Sequence, residues 1–207
     1  MPKASKIIIQ PVSCDWQLEA SLRLRYQNYL QKGYICENQS MTMSDKWDRL
    51  AATIHFVAVR NGSVTGSVRL VLDSEEGLPM ERVFPDEICQ LRKDGGMLAE
   101  ASALVTVSGS RNPAGNLWLR LSRHIFAEAQ KRKVDNLCIA VTQNHLGFYE
   151  RALFERIGAG KHYKALNSVF AYPLQLRVRQ VQLKRKLGNH SQAASVQEHL
   201  LKPRHNR

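Results

Sequence analysis

The strongest local constraint in the sequence is an Asn-Gly pair between two β-rich runs, "TIHFVAVR" and "SVTGSVRLVL". Asn61 and Gly62 both tolerate positive φ, which a two-residue type I′ turn requires at both central positions. The pair therefore predicts an antiparallel hairpin. Apolar residues alternate along the second run, so Arg69 is predicted to lie on the opposite face from Val68 and Leu70.

The runs before and after this hairpin alternate between strand and helix patterns. "KIIIQP" predicts a short strand, and "SCDWQLEASLRLRYQNYLQKG" predicts a helix that ends at Gly33. "NQSMTMSDKWDRLAA" reads as irregular with one helical turn, and "LPMERVFPDEICQLRKDGG" as a loop with one helical turn. Later runs predict a strand from Leu98, a helix opened by Asn112-Pro113, the strand "VDNLCIAVT", a helix that ends at Gly158, and the final strand "LNSVFAYPLQL".

This order predicts an α/β (α+β) fold, with a mixed central sheet flanked by helices. The length of 207 residues suits one domain, which we place at residues 1–174. Residues 175–207 are predicted to be a basic C-terminal extension that is partly helical and mobile at its end.

The charge of the chain is concentrated near its C-terminus. Lys and Arg number 30 against 18 Asp and Glu, a net charge of +12, and residues 174–207 alone hold eight basic residues and one acidic residue. A basic surface favours an acidic partner, which can be a nucleic acid, a membrane surface or an acidic protein. No nucleic-acid-binding motif occurs, so nucleic acid is not expected.

The remaining composition predicts a cytoplasmic protein. The four cysteines are dispersed and the seven histidines stand singly, which predicts no metal site and no disulfide framework. No apolar run approaches the length of a membrane span. Contact of the basic tail with the inner membrane surface remains an open alternative.

One carboxylate stands out because of its position in an apolar strand. "AEASALVTV" begins with Glu100 and is otherwise nearly free of charge. A glutamate at a strand end often faces water. If it is partly desolvated instead, its pKa rises and it becomes a stronger base.

Several stretches together resemble the GNAT superfamily of acyltransferases, and within it the branch of N-acylhomoserine lactone synthases and long-chain N-acyl amino acid synthases. The resemblance extends from about Ile7 to Leu174. It rests on "LRLRYQNYLQKGYI" with Arg25 and Tyr29, "SDKWD" with Asp45 and Asp48, "GSVTGSVRL" with Arg69, "AEASALVTV" with Glu100 and Ser102, and "QNHLGFYERALFERIGA" with Asn144 and Tyr149.

This resemblance implies an N-acyltransferase that moves a long-chain fatty acyl group from acyl carrier protein to the α-amino group of an amino acid. It implies no permanently bound cofactor, because the acyl donor is carried on the phosphopantetheine of acyl carrier protein or on CoA. The residues it implies are Glu100 as base and Tyr149 as acid; Arg69, Asp45, Asp48, Arg25 and Ser102 for substrate; and Val105, Val107, Ser110, Arg111, Asn112 and Asn144 for the acyl donor.

Departures from the branch bear on the substrates. Lactone synthases usually have arginine where this chain has Ala103, and tryptophan where it has Tyr34-Ile35, which favours an amino acid over S-adenosylmethionine as acceptor. "SGSRNPAGN" lacks the glycine-rich turn that holds the pyrophosphate of CoA, which favours the single phosphate of a carrier protein. Electrostatic attraction favours the encounter of an acidic carrier protein with a basic enzyme.

Other interpretations stay open at this point. At the level of function they are a GNAT acyltransferase that uses acyl-CoA on another small amine, and a basic nucleic-acid-binding protein without acyltransferase activity. At the level of residues, Glu100 can be solvated, Arg69 can form a surface salt bridge and Tyr149 can be a core aromatic residue. Asp45 and Asp48 can form an ordinary polar helix face, and residues 110–112 can be a helix cap.

Overall fold

The computed structural model of the chain describes residues 6–107 and 117–181. Ser110, Arg111 and Asn112 lie outside these residues, as does the predicted extension beyond residue 181 with its proposed membrane contact. The predicted roles of both segments therefore remain predictions. No helix in the described ranges is both long and apolar enough to cross a bilayer.

The described residues form one mixed sheet flanked by helices, as the sequence predicts. The strands are β1 (Ile8–Pro11), β2 (Thr53–Arg60), β3 (Ser63–Leu72), β4 (Leu98–Thr106), β5 (Asn136–Thr142), β6 (Glu155–Arg156), β7 (Lys161–Tyr163) and β8 (Val169–Arg177). The helices are α1 (Asp15–Gln31), α2 (Pro85–Lys93), α3 (Leu117–Lys131) and α4 (Gln143–Arg151), with 3-10 turns at Lys46–Arg49, Pro79–Arg82 and Lys164–Leu166. The strand order is β1-β2-β3-β4-β5-β8-β6, and β7 pairs with β8 outside this path.

The predicted hairpin is confirmed. Asn61 and Gly62 have φ of 50° and 73°, so both central residues of the turn are left-handed, as a type I′ turn requires. β2 and β3 pair antiparallel, and His55 stands opposite Arg69 in the register. The hairpin thereby brings two polar side chains to one face of a sheet that is otherwise mainly apolar.

The two faces of the sheet carry different layers. On one face α3 packs against β3, and Leu117 and Leu121 lie 3.1 Å from the position that a Cβ on Gly66 would occupy. On the other face Val71 and Leu98 pack with Ile88 and Leu91 of α2. Helix α1 also covers this second face, where it contacts β3 and β4.

The sheet opens in its middle. β4 and β5 are parallel, but they pair only at Leu98–Asn136, Ala99–Leu137 and Glu100–Cys138 in the described chain. A β-bulge lies just beyond, where Val68 of β3 stands opposite both Ala103 and Leu104. Ala103 has a φ of 54°, in the left-handed region that residues other than glycine rarely adopt. The two strands therefore diverge directly after Glu100.

Three segments differ from the sequence-based expectations. A complete helix, α2, forms where only one turn was expected, because Pro85 is suited to a first helical turn and Ile88 and Leu91 bury one helix face. α4 ends at Arg151 rather than near Gly158, because Leu153 is left-handed (φ 69°) and closes a Schellman turn in which the amide of Phe154 donates to the carbonyl of Tyr149.

The final strand is the third difference. β8 continues to Arg177, so the boundary expected after residue 174 falls inside a strand, and the helical segment begins at residue 178. Leu174, Gln175 and Leu176 are all buried. The first residues of the predicted extension, 175–177, are thus held by pairing with β5.

Candidate active site

A cavity of about 650 Å³ occupies the gap between β4 and β5. Its wall includes Ala101, Ser102 and Val105 of β4, and Ile139 and Val141 of β5. On the α1 side it is lined by Asn28, Tyr29, Lys32 and Tyr34, and on the α3 side by residues that include Trp118, Ser122, Ile125, Phe126, Tyr149 and Phe154. Because α1 and α3 cover opposite faces, the cavity passes through the sheet.

Glu100 lies at the point where the strands separate, on the α1 face. The residue is only 4% exposed, which excludes the solvated alternative. Its Oε2 accepts a hydrogen bond of 2.7 Å from the backbone amide of Met80. Glu100 does not itself line the cavity; Ser102, the next residue on the same side of β4, does.

The pKa of Glu100 is raised to about 7, mainly because burial penalises the charged form. The amide of Met80 and the positive charge of Arg69 oppose the rise, the charge of Asp45 adds to it, and the Ser102 hydroxyl stabilises the ionised form. The carboxyl group therefore titrates in the neutral range. A group with this pKa can accept and release a proton at neutral pH.

Arg69 is buried and held by its neighbours on this face. Its Nε donates to the Ser102 hydroxyl at 3.0 Å, and its two terminal nitrogens donate to both carboxylate oxygens of Asp45 at 2.6 and 2.7 Å. One of these nitrogens also donates to Asp48 at 2.7 Å. Arg69, which the family resemblance assigns to substrate binding, is thus engaged by three side chains of the protein and does not line the cavity.

Asp48 stands between two buried arginines. The terminal nitrogens of Arg25 each donate to one of its carboxylate oxygens at 2.9 Å, so Arg25 contacts the aspartate pair through Asp48. Burial favours a raised pKa for Asp48, but the hydrogen bonds and charges of Arg25 and Arg69 outweigh it and hold the pKa below its ordinary value. These ion pairs exclude the alternative that Asp45 and Asp48 merely form an ordinary polar helix face.

His55 completes the buried cluster next to Asp48. Its Nε2 lies 2.9 Å from the backbone carbonyl oxygen of Asp48. Burial lowers the pKa of His55, more than the nearby oxygens of Asp48 raise it. The imidazole is therefore neutral at neutral pH and donates to that carbonyl. The sequence does not reveal this contact, because its seven histidines stand singly and Asp48 is seven residues away from His55.

Tyr149 lies on the α3 side of the cavity, on helix α4. Its ring makes edge contacts with the rings of Phe148 and Phe154, at centroid distances of 5.2 and 5.4 Å. Burial raises the pKa of its hydroxyl, which therefore stays protonated at neutral pH. The residue both packs its ring against aromatic neighbours and lines the cavity, so the core and acid interpretations are compatible.

The charge of Glu100 also influences two further tyrosines. Tyr29 of α1 and Tyr163 of β7 both have a raised pKa, mainly through burial, and the charge of Glu100 contributes to each. Tyr29 also lines the cavity. The ring of Tyr163 packs on Phe84. Tyr163 was not among the predicted site residues, because the sequence does not predict β7.

The residues predicted to bind the acyl donor divide into three groups. Val105 lines the cavity, and its role in binding the acyl donor stays a prediction. Val107 and Asn144 do not line it. Val107 directly follows β4, and Asn144 lies in the first turn of α4. Ser110, Arg111 and Asn112 lie outside the described residues.

Comparison with known proteins extends these observations. A family model described as N-acyl amino acid synthase FeeM matches residues 20–177, which is most of the chain. No curated protein sequence gives a significant match. The solved structure of FeeM, an N-acyl amino acid synthase from uncultured soil microbes, shares 22% identity and a TM-score of 0.74, over 85% of this chain and 93% of that one.

Two lactone synthases are also similar in structure. The acyl-homoserine lactone synthase LasI shares 21% identity and a TM-score of 0.64, over 84% of this chain and 91% of that one. The CoA-dependent acyl-homoserine lactone synthase BjaI, solved with SAM and isopentyl-CoA, shares 16% identity and a TM-score of 0.65, over 93% and 99% of the two chains. At these identities the solved structures show a common fold.

Proposed function

Because the chain belongs to the FeeM family of N-acyl amino acid synthases, and is thus an N-acyltransferase that moves an acyl group onto an amine, we propose that its donor is a long-chain acyl carrier protein and its acceptor an amino acid. The observation that carries this proposal is the cavity through the split sheet. Its apolar part lies on one face and a carboxyl group that titrates near neutral pH lies beside it on the other.

The acyl chain occupies the α3 side of the cavity. Ile125, Phe126 and Phe154 make this side apolar, and burial of methylene groups there stabilises the bound chain by about 0.8 kcal/mol for each group. A volume of about 650 Å³ lies within the range of about 300–1,000 Å³ that is usual for pockets that bind small molecules. The thioester then lies at the gap between β4 and β5.

The acceptor amine approaches from the α1 side and loses its proton to Glu100 through Ser102. The Ser102 oxygen accepts a hydrogen bond from Arg69 and has a second lone pair for an N–H group of the amine. As the amine proton passes to this oxygen, the hydroxyl proton passes to Glu100. This relay accounts for a base that lies beside the cavity and does not line it.

The neutral nitrogen then attacks the thioester carbonyl carbon, loses its second proton to solvent, and the C–S bond breaks. Backbone amides of β4 beyond Glu100, where no pairing with β5 remains in the described chain, are the candidates to stabilise the oxyanion. Tyr149 donates a proton to the departing thiolate and regains one from solvent. The products are the amide, the free thiol and one proton released from the acceptor's ammonium group.

Two features favour a carrier protein over free CoA as donor. The net charge of +12 favours encounter with an acidic protein, and the sequence after β4 lacks a glycine-rich pyrophosphate loop. CoA is the second candidate, because BjaI is described as CoA-dependent and has the same fold.

The proposal is tested with purified protein, a mixture of amino acids, and either acyl carrier protein or CoA that carries the same long acyl chain. Mass spectrometry of the products is expected to show N-acyl amino acids, formed faster from the carrier protein. Transfer from CoA alone would overturn the choice of donor, and products formed only on amines without a carboxylate would overturn the choice of acceptor. Salt-sensitive binding to DNA of any sequence, without transfer from either donor, would favour the nucleic-acid alternative.

A further inference from the structure

The polar groups of the cavity are concentrated on its α1 side. There the last turn of α1 and the residue that follows it contribute Asn28, Tyr29 and Lys32, and the adjoining loop contributes Tyr34. Among the described residues that line the cavity, Lys32 is the sole permanently charged side chain. An anionic group that enters from this side therefore meets one cation in a wall that is otherwise neutral.

Lys32 is available to such a group. Within the described chain its ammonium forms no ion pair with a carboxylate and lies 5.8 Å from the centre of the Tyr34 ring, at the weak end of a cation–π contact. The Tyr34 ring packs edge-on against Tyr29 at 5.7 Å. These contacts place the ammonium near Tyr34, whose ring in turn contacts Tyr29.

The nearest alternative cations are already neutralised. Arg69 is bound by Asp45, Asp48 and Ser102, and Arg25 is bound by Asp48. Neither arginine lines the cavity. A carboxylate on the acceptor would therefore find its partner in Lys32 and not in the buried cluster.

Tyr29, Lys32 and Ser102 line the same cavity. Lys32 follows Tyr29 by three residues, so it lies one helical turn further along α1 on the same side. An α-amino acid carries its ammonium and carboxylate on the same carbon atom. With the amine at Ser102, the cation available to this carboxylate in the wall of the described cavity is Lys32.

We propose that Lys32 binds the α-carboxylate of the acceptor and thereby selects amino acids over simple amines. This inference rests on the proposed function and identifies the group that recognises its acceptor. The hairpin of β7 and β8 closes the same corner, since the side-chain amide of Asn167 donates to the carbonyl of Gly33 at 2.9 Å.

The test compares Lys32→Gln and Lys32→Arg with the wild-type protein on three acceptors: an amino acid, its primary amide, and its decarboxylated amine. Lys93→Gln is the matched control, an exposed lysine in the last turn of α2 that does not line the cavity. Loss of a charge-assisted hydrogen bond is expected to raise the KM of Lys32→Gln for the amino acid at least ~10-fold, with kcat nearly unchanged. KM for the amide and the amine is expected to stay constant, and Lys32→Arg to retain the wild-type preference.

Several outcomes would overturn the inference. An unchanged KM for the amino acid would do so, and so would an equal rise for the amide, or wild-type protein that uses all three acceptors equally well. A rise in KM for the acyl donor with every acceptor would assign Lys32 to the donor phosphate instead. If wild-type protein acylates the amine but no amino acid, the proposed function itself fails and this inference falls with it.

Discussion

The Glu100 carboxylate and the Met80 backbone amide are joined by a hydrogen bond of 2.7 Å. Met80 belongs to the 3-10 turn Pro79–Arg82, and its side chain is buried in the cluster beneath α2. The turn thus supplies a backbone donor to a buried carboxyl group. The Met80 amide and the Ser102 hydroxyl both favour the ionised form, but burial outweighs them and raises the pKa of Glu100 to about 7.

The pH dependence of acyl transfer is expected to follow Glu100. The deprotonated carboxylate is the active form of a base, so kcat/KM is predicted to rise with pH through about 7 and to level off above it. Glu100→Gln is expected to lower kcat by about 10²–10⁴-fold and to abolish this rise. Rates measured from pH 5.5 to 9 test this, with the exposed Glu75→Gln as control. Turnover of Glu100→Gln at the wild-type rate would exclude Glu100 as base.

The same pKa predicts how stability depends on pH. The folded-state pKa of about 7 exceeds the reference value of 4.5, so the folded state binds this proton more tightly, and its contribution to stability is lost as pH rises between the two values. Glu100→Gln removes this loss and keeps an oxygen acceptor for Met80. At pH 8 the variant is predicted to be the more stable protein, by up to ~3 kcal/mol in urea unfolding, and at pH 4 the difference is predicted to disappear.

Removal of the charge of Asp48 is predicted to destabilise the fold strongly. Asp48→Asn leaves Arg25 and Arg69 buried next to each other with one carboxylate fewer, and loss of one partner in a buried ion pair costs about 3–5 kcal/mol. Chemical denaturation measures the loss. Glu19→Gln, which breaks the exposed pair with Arg49, is the control and is expected to cost less than about 1 kcal/mol. Equal effects of the two substitutions would contradict this account.

Local patterns account for the parts of the fold that the sequence predicts. Asn61-Gly62 encodes its own turn, and alternation along β3 places Arg69 opposite the α3 face, because both signals are read within a few residues. The residue pattern and the family resemblance together mark Glu100, at the start of an apolar strand, as the candidate base. The strands separate next to a bulge that includes Ala103, and no glycine in the sequence indicates where this bulge lies.

Contacts between distant segments account for what the sequence does not predict. Met80 carries no sign that its amide binds Glu100, since a backbone donor is the same in every residue except proline. The sequence marks Arg69 as a candidate but does not show that Asp45, Asp48 and Ser102 engage it together. Lys32 looks like any exposed lysine until the cavity is known.

The bulge gives a prediction about backbone strain. Ala103 is left-handed with a φ of 54°, which is disfavoured for residues other than glycine and still more for β-branched residues. Ala103→Val is therefore expected to destabilise the protein by about 2 kcal/mol or more, while Ala103→Gly is expected to change stability by less than about 1 kcal/mol. Thermal unfolding of the two variants tests the order. If valine is tolerated as well as glycine, the left-handed conformation is not required.

Tyr149→Phe isolates the role of the acid. The substitution removes the hydroxyl and keeps the ring between Phe148 and Phe154, so the free energy of unfolding is expected to change by less than about 1 kcal/mol. With a pantetheine thioester, whose thiolate needs a proton as it leaves, kcat is predicted to fall by about 10²-fold or more. An aryl thioester with the same acyl chain releases a far weaker base, so its kcat is predicted to be nearly equal in wild-type and variant protein. A loss of the same size on both donors would show that Tyr149 shapes the cavity and does not supply the proton.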